Sequence, residues 1–440
     1  MKKLLYLLMI SLLIISYSCE EDDHVDPTFI VQVELNYPDD EAVAKDVTVT
    51  LTNKTDDTKF EAKTNENGIA EFEVIAGIYE AAVSEKRSSD YFTYLYTGLK
   101  SITVTNDWNN ESTVKIELSK SKATQIIVKE LFVGGTPKDD GSGYFGYDKY
   151  VILYNNSEFQ ADISDVTLAM VMPFNSNSNN NYYDGSSLLY ESEGWIPAAQ
   201  AVWHFNTQVV VEPYEQIVVA FNNAIDNTVT HSQSINFANS EYYCTYDIED
   251  FSHALTYVSP SSAIPTSNYL SALKYGVGTG WALSNSSPGF FIFSAQDVTL
   301  ESFVNDASTT YDIYGSGMLL DKKVPVEWII DGVEIFRNGY DNQKRFTAGV
   351  DAGSVLMTNK LGYSIYRNVD KDATEAIEGN ASKLVYSYSG GTEDIDGGST
   401  DPSGIDAEAS IANGAIIIYK DSNNSSDDFH QREQASLRSI

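Results

Sequence analysis

The feature that most constrains the fold of this chain is a repeated pattern of short strand-forming runs. Runs of Val, Ile, Thr, Tyr and Phe recur between clusters of Asn, Asp, Gly and Ser, and helical periodicity is hard to find after residue 18. β-branched and aromatic side chains suit the half-buried face of a sheet, whereas the polar clusters favour turns. The sequence therefore predicts an all-β protein, and its 440 residues exceed what one ordinary core needs.

A first domain is predicted over residues 27–120. Alternation places Ala70, Phe72 and Val74 on one face of a strand and two glutamates on the other. Asn67 and Gly68 supply the turn before it, because both residue types tolerate positive φ. The predicted strands of this domain are residues 29–35, 47–52, 70–74, 79–83 and 114–118.

The spacing of Thr64, Gly68, Phe72, Gly77 and Tyr79 resembles the carboxypeptidase-regulatory or transthyretin-like family. In that family a Thr-x-x-x-Gly turn precedes a Phe-bearing strand and a Gly-x-Tyr strand. The resemblance implies a small immunoglobulin-like or transthyretin-like β-sandwich. It carries no catalytic residues and implies a spacer or adhesion module.

A larger domain is predicted over residues 121–440. Residues 125–132, 148–157 and 217–226 together resemble the lamin-tail type of immunoglobulin-like sandwich. With residues 421–429, the segment also resembles DUF4876, a family of Bacteroides-group lipoproteins. The resemblance implies a larger lamin-tail-like β-sandwich with long loops, and it implies no established activity.

The N-terminus has the organisation of a lipoprotein signal peptide over residues 1–18. Lys2 and Lys3 precede residues 4–15, which carry no charge, and a small residue stands directly before Cys19. The apolar run is too short for a permanent membrane span. We therefore expect cleavage before Cys19 and attachment through fatty acyl chains such as palmitate. An ordinary secretory signal followed by an incidental cysteine is the alternative.

An acidic tether is predicted over residues 19–26. Its four consecutive acidic residues at 20–23 are typical of a solvated segment. They also resemble the signal that sends Bacteroides-group lipoproteins to the outer face of the outer membrane. The expected location is therefore the outer membrane, with the protein exposed on the cell surface.

The charge of the chain argues against nucleic-acid binding. It carries 28 basic and 63 acidic side chains, a formal net charge of -35, which repels a phosphate backbone. Cys19 and Cys244 are its two cysteines. Once Cys19 is acylated, Cys244 has no partner for an intramolecular disulfide.

Acidic, glycine-rich loops raise the possibility of a Ca²⁺ site, because Ca²⁺ takes six to eight oxygen ligands. The candidates are Asp394, Asp396 and Asp401, followed by Asp421 with Asp427 and Asp428. The alternative is a solvated loop, because none of these segments has the spacing of a known calcium loop. No other cofactor is expected.

Aromatic residues beside an Asn-rich loop suggest a binding site. The loop, residues 175–184, contains five Asn, and amide groups together with aromatic faces suit a glycan or a small organic ligand. The tentative ligand-binding residues are Tyr182, Tyr183, Trp195 and Trp203. The alternative is that these residues pack inside strands, for which Tyr and Trp have high propensity.

Signals of catalysis are weak in this sequence. Cys244 needs a nearby base such as His231 or His253, and sequence does not show that proximity. A carboxylate pair for glycoside hydrolysis is defined by a separation in space that sequence also does not show. We therefore expect no catalytic residues.

The expected function is that of a non-enzymatic ligand-binding or accessory module on the cell surface, serving a TonB-dependent outer-membrane transporter. The link to the transporter rests on the bacterial group that the resemblance implies. A structural or adhesive surface protein is the first alternative, and a hydrolase with a carboxylate pair is the second.

Overall fold

The structure is a computed structural model that describes residues 26–38, 41–89, 91–386 and 401–438. The chain divides into two compact units. The smaller comprises Met1–Arg87 and Tyr94–Ser121, and the larger comprises Ser88–Thr93 and Lys122–Ile440. Among the described residues, no helix combines the length and the apolar character that a membrane span requires.

In the described part of the first 124 residues, eight strands form two sheets. A three-stranded sheet has the order β4-β1-β7, and a five-stranded sheet has the order β3-β2-β5-β6-β8. The strands are β1 (Thr28–Asn36), β2 (Thr48–Asn53), β3 (Lys59–Lys63), β4 (Ile69–Ile75), β5 (Gly77–Ser89), β6 (Phe92–Val104), β7 (Thr113–Glu117) and β8 (Ser119–Thr124).

The core of the smaller unit follows the alternation predicted from sequence. Ala70, Phe72 and Val74 on β4 are buried, whereas the glutamates between them are exposed. Gly68 has a φ of 74°, and a Cβ there would lie 2.4 Å from Cγ1 of Val43. Glycine is therefore required at this turn, because it tolerates positive φ and leaves room for Val43.

The larger unit is built around a twelve-stranded sheet with the order β27-β26-β23-β14-β18-β22-β21-β20-β12-β9-β28-β29. The other strands form smaller sheets. The strands are β9 (Ile126–Phe132), β10 (Thr136–Pro137), β11 (Tyr144–Phe145), β12 (Tyr150–Asn155), β13 (Ala161–Asp162), β14 (Thr167–Met170), β15 (Tyr183–Asp184), β16 (Ser187–Leu188), β17 (Trp195–Ala199), β18 (Ala201–His204), β19 (Val210–Val211), β20 (Gln216–Ala220), β21 (Tyr243–Thr245), β22 (Tyr269–Lys274), β23 (Gly289–Phe293), β24 (Thr310–Tyr311), β25 (Asp321–Pro325), β26 (Ile329–Arg337), β27 (Val355–Met357), β28 (Ser364–Arg367) and β29 (Phe429–Arg432).

The helices of the larger unit are short and have side-chain N-caps. They are α1 (Leu300–Asn305), α2 (Lys371–Ala376), α3 (Ala407–Ala412) and α4 (Ser425–Asp428), with 3₁₀ turns at Asn227–Val229, Thr266–Asn268, Ala307–Thr309 and Val326–Trp328. The side chains of Thr299, Asp370, Asp406 and Asn424 accept hydrogen bonds from the first turns of the four α-helices. Such caps satisfy backbone N–H groups that a helix leaves unpaired.

The described fold confirms the predicted all-β class and is consistent with a β-sandwich. Strands β9 and β12 pair in antiparallel fashion, and β12 also pairs with β20. Every residue of β9 and β12 is buried. Both strands have a neighbouring strand on each side, and burial of both faces explains why their sequences are largely apolar.

Candidate functional site

A polar cleft opens at one end of the large sheet, where several strands finish together. The end of β14 lies opposite the start of β23, because Met170 pairs with Phe290. The start of β23 lies in turn near the end of β26, and β27 runs parallel to β26 and ends opposite Arg337. The loops at these strand ends, together with the segment that leads into β12, enclose a volume of about 840 Å³.

Hydroxyl and amide groups form one wall of the polar cleft. The side-chain oxygen of Asn175 accepts hydrogen bonds from the hydroxyls of Ser284 and Ser286, the second at 3.1 Å. Nδ2 of Asn285 donates to the carbonyl of Gly146 at 3.1 Å, and a Cβ on Gly146 would lie 2.2 Å from that nitrogen. Glycine therefore lets the two loops approach closely enough to bond.

Aromatic rings and cations form the rest of the lining. Tyr144, Tyr147 and Phe174 are half-buried at the cleft. The ammonium of Lys360 lies 5.0 Å from the ring centroid of Tyr144, a cation–π distance. The guanidinium of Arg337, at the end of β26, lies 3.7 Å from the ring of Tyr340.

Lys149 is the buried cation of the cleft. Its side chain is 2% exposed, and its ammonium donates a hydrogen bond to the carbonyl of Leu283. Burial lowers the pKa of Lys149 to about 8, although the neighbouring Asp148 acts in the opposite direction. Burial also raises the pKa of Asp148 to about 6, while hydrogen bonds from Ser234 at 2.7 Å and Thr136 at 3.1 Å oppose the shift.

A buried ion pair holds two cleft loops in place. The guanidinium of Arg345 bonds to the carboxylate of Glu334, with Nε–Oε1 at 2.8 Å. The same guanidinium donates to the carbonyls of Pro173 at 3.0 Å and Ser287 at 2.9 Å. Pro173 directly precedes one cleft loop and Ser287 follows another, so this ion pair fixes the position of both walls.

Part of the larger unit is similar to a known family. Residues 212–383 match the family model described as a protein of unknown function, DUF4876. A crystal structure of a DUF4876 family protein from Bacteroides thetaiotaomicron is similar, with a TM-score of 0.57 and 19% identity over 91% of this chain and 94% of that chain. These findings support membership of the DUF4876 family. At this identity the structural likeness shows a shared fold, and the matched segment supplies Thr256, Arg337 and Lys360 to the polar cleft.

Other solved structures resemble the chain too weakly to support an argument. A DUF3823 family protein from Parabacteroides merdae has a TM-score of 0.18 and 9% identity over 44% of this chain and 79% of that chain. The major pilin subunit of Bacillus cereus has a TM-score of 0.18 and 8% identity over 70% and 95%. Among curated proteins, no sequence matches the chain.

The four aromatic residues predicted to bind a ligand lie in or against the core of the larger unit. Trp203 is 0% exposed and stacks on Phe251, with ring centroids 5.6 Å apart. Tyr182 and Trp195 are 1% and 6% exposed. Tyr183 is half-buried, and its hydroxyl donates to the carbonyl of Lys344 at 3.2 Å. Their burial favours the packing alternative, and none of the four lines the polar cleft.

The predicted calcium ligands are only partly within the described residues. Asp394 and Asp396 lie outside them. Asp401 is buried, and its carboxylate accepts hydrogen bonds from the backbone N–H groups of Val369 at 3.0 Å and Ser403 at 2.8 Å. Burial raises its pKa, although these hydrogen bonds oppose the shift.

In the second set of predicted calcium ligands, two carboxylates already lie next to a cationic side chain. Asp421 and Asp428 lie 3.5 and 3.9 Å from the guanidinium of Arg367, which also bonds to Asp331. In the parts of the chain that the structure describes, no group of three His, Cys, Asp or Glu side chains is arranged to hold a metal ion.

The two cysteines differ in what the structure describes. Cys19 lies outside the described residues, and its acylation stays a prediction. Cys244 is fully buried on β21, and burial raises the pKa of its thiol to about 12. A nucleophilic cysteine needs the opposite shift. His231 packs on Phe145 and His253 bonds to Thr256, so each candidate base has another neighbour.

Sequence reasoning found one wall of the polar cleft and missed the other. The Asn-rich loop was singled out, and Asn175 at its start does line the cleft. The cations Lys149, Arg337 and Lys360 were missed, because they are far apart in sequence. One signal was present: Lys149 stands directly before an uninterrupted buried strand, where a charged residue is rarely buried without a partner.

Proposed function

We propose that this DUF4876 chain is a non-enzymatic binding module of the cell surface, and that the polar cleft holds a small, hydroxyl-bearing organic ligand. The single observation that carries the proposal is the cleft itself. Its volume of about 840 Å³ falls in the range of small-molecule sites, which commonly combine aromatic walls with a few polar groups. Tyr144, Tyr147 and Phe174 supply faces for stacking, and Asn175 and Asn285 supply amides.

The composition of the lining supports binding rather than hydrolysis. Glycoside hydrolysis uses two carboxylates that flank the bond to be broken. Among the described residues, no Asp, Glu or His lines the cleft. Cys244 lies elsewhere, and its raised pKa keeps it in the unreactive thiol form.

The proposed anchor is the acylated Cys19, followed by the acidic tether of residues 19–26. The smaller unit would then serve as a spacer, and delivery of the ligand to a TonB-dependent transporter would be the physiological role. This part of the proposal rests on the signal sequence and on the Bacteroides-group resemblance. Replacing Cys19 with Ser should release the protein from the membrane fraction, and globomycin should cause accumulation of the unprocessed precursor. Unchanged fractionation in both experiments contradicts the anchor.

Mass spectrometry of co-purified molecules tests the binding function. The full-length protein is extracted from its native membrane in mild detergent, alongside the variants Ala282→Trp and Ala238→Trp. Ala282 lines the cleft, whereas Ala238 is exposed and lies outside it. We expect an organic molecule on the wild type and on Ala238→Trp that is depleted on Ala282→Trp. The same molecules at the same level on all three proteins contradict a ligand in the cleft.

A structural or adhesive surface protein is the second candidate. The burial of Tyr182, Trp195 and Trp203 favours it, because these rings stabilise a rigid body and present no face to a ligand. This candidate predicts that cells bind a surface or other cells less well without the protein, and that Ala282→Trp keeps full adhesion. Loss of adhesion in Ala282→Trp would contradict it.

A further inference from the structure

The charge of the polar cleft is opposite to the charge of the chain. Acidic side chains outnumber basic ones by 63 to 28 in the sequence. The cleft is nevertheless lined by Lys149, Arg337 and Lys360, and among the described residues no carboxylate lines it. Resting on the proposed binding function, we infer that the ligand is an organic oxyanion, which carries a carboxylate or a phosphate on a hydroxyl-bearing ring.

Lys149 carries this inference, because its ammonium is buried with hydrogen-bonding capacity left over. An ammonium has three donors. In the described part of the chain, the ammonium of Lys149 has one hydrogen-bond acceptor, the carbonyl of Leu283, and the charge of the neighbouring Asp148 acts on it without forming an ion pair. A buried charge is costly unless it is paired or well hydrogen-bonded. An anion in the cleft supplies what this ammonium lacks.

A second buried lysine shows what a satisfied ammonium looks like in this fold. Lys322 is as buried as Lys149 and also forms no ion pair among the described residues. Its ammonium, however, donates to the carbonyl of Asp306 at 2.8 Å and to the hydroxyls of Thr309 and Thr310 at 3.2 and 2.5 Å. Three acceptors match three donors there. The two missing acceptors at Lys149 are therefore a local property of the cleft.

Arg337 and Lys360 place two further positive charges at the cleft. Both contact aromatic rings through their cationic groups, and neither forms an ion pair with a described carboxylate. The half-buried Arg337 and the exposed Lys360 are accessible from solvent. Opposite charge at an open cleft speeds the arrival of a ligand and adds to its affinity.

The neutral groups of the cleft identify the rest of the ligand. The oxygen of Asn175 accepts the hydroxyls of Ser284 and Ser286, so its amide nitrogen is left to donate to a ligand oxygen. The hydroxyl oxygen of Ser286 keeps lone pairs that accept a ligand hydroxyl, whereas that of Ser284 already accepts the backbone N–H groups of Ser286 and Ser287 at 3.1 and 3.2 Å. Tyr144 and Tyr147 offer ring faces to the apolar face of a sugar ring. A sugar acid or a sugar phosphate satisfies all of these groups together.

The experiment compares three probes that share one ring. Isothermal titration calorimetry of the full-length protein in detergent is run with glucose, glucuronate and glucose 6-phosphate, at one pH and one salt concentration. We expect at least one of the two anions to bind about tenfold or more tightly than glucose, since a hydrogen bond to a charged group contributes about 1.5–3 kcal/mol. The relative affinities of glucuronate and glucose 6-phosphate then show whether the cleft prefers a carboxylate or a phosphate.

Variants test whether the preference for an anion over glucose arises in the cleft. Lys149→Met should abolish most of the preference for the anion, and Lys360→Gln and Arg337→Gln should each weaken anion binding by about two- to fivefold, as exposed charges do. Lys383→Gln is the matched control, because Lys383 is exposed and lies outside the cleft. If Lys149→Met fails to fold, Lys360→Gln and Arg337→Gln still report on the site.

Three results overturn the inference. They are equal affinity for glucose and for both anions, no binding of either anion, and an anion preference that survives all three cleft variants. None of them decides the proposed function, which is judged separately by the molecules that co-purify with the wild type and with Ala282→Trp. A neutral co-purified ligand would retain the binding function and overturn the oxyanion.

Discussion

Two regions of the larger unit bury positive charge in opposite ways. Around β26, the guanidinium of Arg345 lies 2.5 Å from the carboxylate of Glu334, and both side chains are 0% exposed. At the polar cleft, the ammonium of Lys149 is almost as buried and has a single described acceptor. The paired cations hold the fold together, whereas the incompletely bonded one is available to a ligand.

Two further buried cations are paired in the same way. Lys129 bonds to Glu408 at 2.8 Å, and Arg367 is surrounded by Asp331, Asp421 and Asp428. The paired groups come from segments far apart in the chain, so the pairs connect the fold beyond the backbone hydrogen bonds of neighbouring strands. The comparison teaches that an acidic chain can use its scarce cations inside the fold, and that a buried cation short of hydrogen-bond acceptors marks a candidate site.

The largest expected effect is at the paired region. Arg345→Met leaves the carboxylate of Glu334 buried without its partner and removes the support of the two cleft loops. We expect a loss of about 3–5 kcal/mol in the free energy of unfolding, measured by chemical denaturation. Arg337→Met, at the cleft end of β26, should cost less than about 1 kcal/mol. Similar losses in the two variants would break the distinction between the two regions.

The contribution of the Lys129–Glu408 pair to the free energy of unfolding should depend on pH. Burial tends to raise the pKa of Glu408, but the charge and hydrogen bond of Lys129, with a hydrogen bond from Tyr366, lower it to about 2. Because the folded pKa lies below the unfolded one, the stabilisation is present above pH 4.5 and is lost as the pH falls towards 2. Glu408→Gln should therefore cost about 2–3 kcal/mol at pH 7.

The measurement for Glu408 is the free energy of unfolding of wild type and variant between pH 7 and pH 2. The difference between the two proteins should narrow as the pH falls below 4.5. Glu375→Gln is a suitable control, since Glu375 forms an exposed pair with Lys371 on α2. A difference for Glu408→Gln that stays constant with pH would show that the loss is not electrostatic.

A smaller difference in the free energy of unfolding is expected between variants of the two buried lysines, Lys322 and Lys149. Lys322→Met removes an ammonium that satisfies three oxygens, and leaving buried acceptors unpaired should cost about 1–3 kcal/mol. Lys149→Met removes a charge that is costly to bury and poorly bonded, so the change should be close to zero or slightly stabilising. Thermal and chemical denaturation in the absence of ligand compare them. A loss at Lys149 as large as that at Lys322 would mean that Lys149 is a structural residue.

The smallest effect is expected at the rim of the cleft. Lys360 is exposed, so Lys360→Gln should change the free energy of unfolding by less than about 0.5 kcal/mol, while anion binding weakens. Denaturation and calorimetry on one preparation test both statements. A large loss of stability would mean that the contact of Lys360 with Tyr144 serves the fold.

Much of the fold was predictable, because strand formation depends on local residue pattern. The alternation in β4 and the glycine at Gly68 agree with the structure in detail. The candidate site was less predictable. Asn175 lies in the Asn-rich segment that the sequence indicates, but Tyr182 and Trp203, which the sequence suggests as ligand-binding residues, pack into the core. An aromatic residue in a strand has the same local signature whether it is buried or lines a cleft.

The sequence by itself determined the all-β class, the strand-forming segments and the strongly negative charge, because these follow from composition and from patterns a few residues long. Only the tertiary structure decided which cations pair and which do not. Lys149, Arg337 and Lys360 meet because the ends of β14, β23, β26 and β27 and the start of β12 converge. This convergence depends on pairing between strands that are up to hundreds of residues apart, and no pattern a few residues long predicts such pairing.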